Sequence, residues 1–113
     1  MLGYHVQARR IDTHGSEISA KQATLLVDTG PPGLTDAFNL VEMLLGALAA
    51  CMIKGTERVL PTLGFRPRNL EVKLHAVRQD IPPKILSIDY VITIDTDEPD
   101  HRVVLLQTNA ASF

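Results

Sequence analysis

Cys51 is the only cysteine in this 113-residue chain. It lies in the most apolar segment, Asn39-Leu40-Val41-Glu42-Met43-Leu44-Leu45-Gly46-Ala47-Leu48-Ala49-Ala50-Cys51-Met52-Ile53-Lys54. A lone thiol placed there is either a small buried core residue or the working atom of a thiol enzyme. The other chemistry-bearing residues form no pattern of comparable promise. His5, His14, His75 and His101 fall on different elements, and none has metal-ligand spacing with another or with Cys51. Asp95, Asp97, Glu98 and Asp100 cluster where a helix start would favour negative charge, and they lack the twelve-residue pattern of a calcium loop. No glycine-rich phosphate loop and no Ser/His/Asp signature occurs. Neither a metal nor a cofactor is expected.

Composition narrows the setting. The length fits one domain spanning residues 1–113, and 45% hydrophobic residues mark it as globular. A net charge of -2 without a basic run argues against a nucleic-acid partner. The absence of Trp disfavours a stacking platform for single strands. One cysteine cannot form an intrachain disulfide. The start, Met1-Leu2-Gly3-Tyr4-His5, has no signal-peptide pattern, and the longest apolar run is too short to span a membrane. A cytoplasmic protein without a membrane partner is the expectation.

The elements that must position Cys51 follow from periodicity. Tyr4 to Ile11 alternates weakly and predicts a strand. Thr13-His14-Gly15-Ser16 is turn chemistry, and Ser19 to Asp28 predicts a second strand, completing a hairpin. Gly30-Pro31-Pro32-Gly33 is a rigid break. Asn39 followed three residues later by Glu42 predicts a capping box, opening a helix from about Leu40 to Val59 that stops before Pro61. Leu70, Val72, Leu74 and Ala76 alternate with Glu71, Lys73 and His75. Leu86, Ile88, Tyr90, Ile92 and Ile94 alternate with Ser87, Asp89, Thr93 and Asp95. Each predicts a strand with one buried and one wet face, joined through Arg78 to Lys84. A short last helix, capped by Thr96 or Asp97 with Pro99 in its first turn, would hold Val103 to Leu106.

This order is an α+β pattern of antiparallel hairpins with a long helix to cover them. From Leu40 to Ile53 the helix is apolar nearly all round, which predicts burial on every side. One small sheet covers only one side, so a second copy of the chain is the simplest cover. Ala47, Cys51 and Gly55, spaced four apart, would let another backbone come close. A homodimer is expected, with this helix at or near its interface.

The helix ending Ala49-Ala50-Cys51, the order of the elements, and the segment Val77-Arg78-Gln79-Asp80-Ile81-Pro82-Pro83-Lys84 leading to Ile88-Asp89-Tyr90 resemble the OsmC/Ohr family of osmotically induced and organic hydroperoxide resistance proteins. The resemblance runs from Tyr4 to about Leu106. It implies an OsmC-like fold and an intertwined homodimer. It also implies reduction of organic hydroperoxides by a cysteine on this helix, helped by an Arg and a Glu and resolved by a second cysteine.

On these residues, the peroxidatic cysteine falls on Cys51. The reaction needs a thiolate, an unassisted cysteine ionises near pH 8.5, and apolar burial raises that value, so a cation is required nearby. The resemblance places that Arg in the first hairpin, where Arg10 shares strand parity with Tyr4, Val6 and Ala8 and is predicted to point inward. Arg9 would face solvent. The family's Glu position falls on Val41; Glu42 lies one residue later and about half a turn out of phase with Cys51, which suits a capping residue better. Cys51, Arg10 and Glu42 are the candidate catalytic residues. The resolving cysteine has no counterpart, and the family's final helix and strand are expected to be shortened. Turnover would then need an external thiol reductant. Two readings stay open: a thiol-dependent peroxidase for organic hydroperoxides, and a non-catalytic dimeric module that binds a small apolar ligand or serves structurally.

Overall fold

A computed structural model describes residues 1–64 and 66–99. The elements run β1 (Gln7–Arg10), β2 (Gly15–Ala20), β3 (Ala23–Asp28), α1 (Leu40–Leu63), β4 (Asn69–Gln79) and β5 (Lys84–Asp95). The chain divides into two compact units, Met1–Leu44 and the part from Leu45 onward. The helix expected at Val103 to Leu106 lies outside the described residues, as do Asp100 and His101.

The first unit holds a three-stranded antiparallel meander in the order β1-β2-β3. The predicted strand from Ser19 to Asp28 is in fact parts of two strands, and Ser19 belongs to β2. The missed turn is Lys21-Gln22, between Ala20 and Ala23. It carries none of the usual turn signals, because Lys21 itself takes the left-handed conformation (φ 56) that glycine or asparagine normally supplies. β1 is also shorter than the predicted Tyr4 to Ile11. The first turn was legible. Asp12 Oδ1 accepts from the amides of His14 (2.8 Å) and Gly15 (3.0 Å), and Ile11 donates to the Gly15 carbonyl at 3.0 Å.

After β3 the chain turns through Gly30-Pro31-Pro32-Gly33. Asp28 organises this loop: Oδ2 accepts from the Leu34 amide at 2.9 Å and Oδ1 from the Gly30 amide at 3.3 Å. Asp28 also donates its amide to the Phe38 carbonyl at 2.8 Å, beside a parallel bridge between Val27 and Phe38. Val27, at 0% exposure, is the most deeply buried large side chain among the described residues.

The capping box is present in both directions. The Asn39 amide donates to Glu42 Oε1 (2.9 Å), and the Glu42 amide donates to Asn39 Oδ1 (2.8 Å). The helix then continues past Val59 to Leu63, with Pro61 inside it. Proline so near the end removes only the amide that would have bonded the Glu57 carbonyl, and its fixed φ is already helical. Gly64, at φ 63, closes the helix in the left-handed conformation that ends many helices.

The second unit contains the hairpin β4-β5. Its register pairs Leu70 with Ile94, Val72 with Ile92, Leu74 with Tyr90 and Ala76 with Ile88, putting these apolar residues on one face. Glu71, Lys73 and His75 lie on the other, as their alternation predicts. The helix meets this hairpin at one end, where Leu60 packs with Val59, Leu63 and Ile94. At that same end Arg68 accounts for two acidic residues, bonding Asp95 Oδ1 at 2.7 Å and Asp97 Oδ2 at 2.9 Å.

Candidate functional site

Cys51 falls at the middle of α1, as the sequence places it. Its thiol is exposed rather than buried. Of the helix, only Gly55, Thr56 and Leu60 are buried. The expectation of burial all round fails in the single chain for a physical reason. In the single chain the apolar stretch is covered only in part: Val41, Met43, Leu45, Leu48, Met52 and Ile53 are half-buried. Leu40 and Leu44 stand 65% and 53% exposed on that stretch.

Arg10 closes β1. Its register partner is Ser16, which in turn pairs with Val27. The next pairs along the strands are Ala8, Ile18 and Leu25. Arg10 therefore stands on the face of the meander that carries apolar residues, as parity predicts. It is nonetheless exposed, like the rest of β1, because this single chain leaves the strand uncovered. Arg9 takes the opposite face and approaches Glu17 at 3.7 Å, a solvent-exposed pair of little energetic consequence.

Glu42 is occupied by the helix cap, its Oε1 bonded to the Asn39 amide. The backbone position explains why: a carboxylate at the third helical residue reaches back to the capping residue. Sequence spacing favoured this role, while the resemblance kept Glu42 among the candidate catalytic residues.

Two features escaped the sequence reading. Arg68 gathers Asp95 and Asp97, residues assigned there to helix capping. Only their proximity across the chain, with an Arg68 amide bond to the Asp95 carbonyl at 2.7 Å, reveals the cluster. Its charge pairing raises the Arg68 pKa and holds the Asp97 carboxyl below its usual range, chiefly through the hydrogen bonds between them. The Thr96 hydroxyl accepts from the Glu98 amide at 3.2 Å; the helix it was expected to cap lies outside the described residues. The second missed feature is an open cleft that Arg10 lines together with Asp12, Ser16 and Thr29. Among the described residues no three His, Cys, Asp or Glu side chains converge to hold a metal, and no helix is long and apolar enough to cross a membrane.

No protein-family model and no curated protein matches the sequence. Solved structures do match the fold. An OsmC-like protein from Mycoplasma pneumoniae superposes with a TM-score of 0.87 at 16% identity, covering 97% of this chain and 81% of that one. The organic hydroperoxide resistance protein OhrB of Bacillus subtilis gives 0.63 at 15% identity, with 96% and 83% coverage. An organic hydroperoxide resistance protein OsmC from Legionella pneumophila gives 0.64 at 13%, with 97% and 82% coverage. With one long helix, antiparallel hairpins and matches that cover 96–97% of its length, the chain has the OsmC-like fold.

Proposed function

We propose that this chain is a thiol-dependent peroxidase that reduces organic hydroperoxides in oxidative stress defence, working as a homodimer. The observation that carries the reading is an accessible thiol, Cys51, midway along the apolar helix of an OsmC-like fold. Two of the matching structures are named for organic hydroperoxide resistance, which fits an apolar substrate.

In this reading the Cys51 thiolate attacks one peroxide oxygen. The S–O bond forms as the O–O bond breaks, and the alkoxide leaves with a proton as the alcohol. The sulfur is oxidised to sulfenic acid. With no second cysteine in the chain, two equivalents of an external thiol complete the cycle: one forms a mixed disulfide and releases water, and the next returns Cys51 to the thiol. Arg10 is the proposed cation that favours the thiolate. Glu42 is assigned to the helix cap.

The dimer is supported by apolar surface that the single chain leaves open. Besides Leu40 and Leu44, Leu86 and Tyr90 on β5 are 54% and 60% exposed. Exposed apolar surface of this kind is normal at a subunit interface and unusual on a monomer.

The second reading, a non-catalytic module that binds a small apolar ligand, is favoured by one observation: no residue of this chain can act as an internal resolving thiol. Turnover of cumene hydroperoxide with a dithiol reductant, compared between this chain and Cys51→Ser, separates the two. Peroxide loss that depends on Cys51 supports the peroxidase. Equal background rates in both proteins leave the binding module.

A further inference from the structure

The three-stranded meander ends in an open cleft of ≈ 390 Å³ whose lining includes the polar side chains of Arg10, Asp12, Thr13, Ser16 and Thr29 beside Pro31. Its groups are unevenly satisfied. Among the described residues no hydrogen bond or ion pair holds the Arg10 guanidinium, whose nearby charge is the Asp12 carboxylate. The Ser16 and Thr29 hydroxyls lie 2.7 Å apart, and Ser16 is 9% exposed. Two hydroxyls carry two protons, and their mutual bond uses one, leaving the other to donate outward. Asp12 is the counterweight. Its Oδ1 accepts both turn amides, from His14 and Gly15, and Oδ2 accepts from no described residue. The two amide bonds also keep this carboxyl ionised to lower pH than usual.

The cleft thus offers a planar fork of N–H donors and a hydroxyl donor beside one ionised acceptor. A ligand that meets all three needs anionic oxygens for the fork and the hydroxyl. It must also bring a proton of its own for Asp12 Oδ2, because a bare anionic oxygen there would set lone pair against lone pair and charge against charge. Hydrogen phosphate has such a proton at neutral pH; sulfate does not. We propose that this cleft binds hydrogen phosphate through Arg10 and the Ser16–Thr29 hydroxyl pair, with Asp12 excluding sulfate. The inference needs no activity from Cys51, but it draws on the same Arg10 that the peroxidase reading assigns to the thiolate; the binding test below reads it without turnover.

The test is an NMR titration of the full chain at pH 7, following the Ser16 and Thr29 amide signals as sodium phosphate or sodium sulfate is added at matched ionic strength. The expected result is a saturating shift with phosphate and none with sulfate. Arg10→Gln should weaken phosphate about tenfold, the scale of a lost charge-assisted bond. Asp12→Asn keeps Oδ1 for the two turn amides and puts an N–H₂ where Oδ2 stood, so sulfate should now bind at least as well as phosphate. Thr29→Val, on the exposed side of the hydroxyl pair, should weaken phosphate severalfold without disturbing the turn. The absence of a saturating phosphate shift, or identical titrations with phosphate and sulfate, would overturn the proposal. So would unchanged phosphate affinity in both Arg10→Gln and Thr29→Val.

Discussion

Asn39 and Glu42 each hold the other's backbone amide, at 2.8 and 2.9 Å, and so close the first turn of the helix that carries Cys51. The acidic residue nearest to the family's Glu position is thereby committed to the backbone.

The capping pair yields a prediction that separates structure from catalysis. Asn39→Ala should cost about 1 kcal/mol of stability, the usual value of a lost helix cap. Glu42→Gln should cost much less, because glutamine serves equally in a capping box. Urea denaturation measures both. If Glu42 only caps, Glu42→Gln also keeps its rate with cumene hydroperoxide; a rate collapse with stability intact would return Glu42 to the chemistry.

Gly30 sits where no side chain fits. A Cβ built there would overlap the Thr13 carbonyl oxygen and lie 2.8 Å from the His14 Cα. Both obstacles are backbone, held by the Gly30 and Thr29 amides bonding to the His14 carbonyl. Gly30→Ala should therefore destabilise the chain by about 2 kcal/mol, typical of overpacking. A thermal midpoint equal to that of the unsubstituted chain would refute the close approach.

Lys21 predicts a change of opposite sign. A lysine at φ 56 carries the strain of the left-handed region, which glycine does not. Lys21→Gly should stabilise the chain by about 1 kcal/mol, less the extra freedom glycine has when unfolded. A lower denaturation midpoint for Lys21→Gly would contradict this turn geometry.

The Arg68 cluster should show itself in acid. The folded Asp97 pKa is depressed, so its contribution is present above the ordinary carboxylate value of 3.8. It is lost as pH falls through the lower folded value, where the native state must also take up the proton. Arg68→Met should remove part of this acid-dependent stability and leave the neutral and alkaline limbs parallel. Because the cluster is exposed, added salt should shrink the difference. Unfolding curves between neutral pH and strong acid, at low and high salt, read it directly.

Apolar exposure on α1 and β5 predicts the assembly state. Sedimentation should give twice the 12.4 kDa chain mass. Leu44→Asp or Tyr90→Asp should shift the population to monomer and lower its stability, since each puts a charge where apolar cover is expected. A monomeric unsubstituted chain at micromolar concentration would remove the dimer from the proposed function.

The sequence by itself determined the helix start, the first turn, the two long alternating strands and the α+β class. These signals are local or strictly periodic. A capping box works within four residues, and alternation sorts Leu70 to Ala76 from Glu71 to His75 whatever lies beyond the sheet. It also located Cys51 at the middle of the helix and favoured the cap for Glu42 while keeping that residue among the catalytic candidates. Tertiary structure alone decided the rest. Lys21 took a turn conformation its side chain does not favour, splitting one predicted strand in two. Pro61 stayed in the helix because only one bond was at stake there. Arg68 found Asp95 and Asp97 from a distance in sequence that no short motif spans. The exposure of Cys51 and Arg10 was decided there as well, because burial depends on what packs against a residue, and periodicity names only the face that seeks cover.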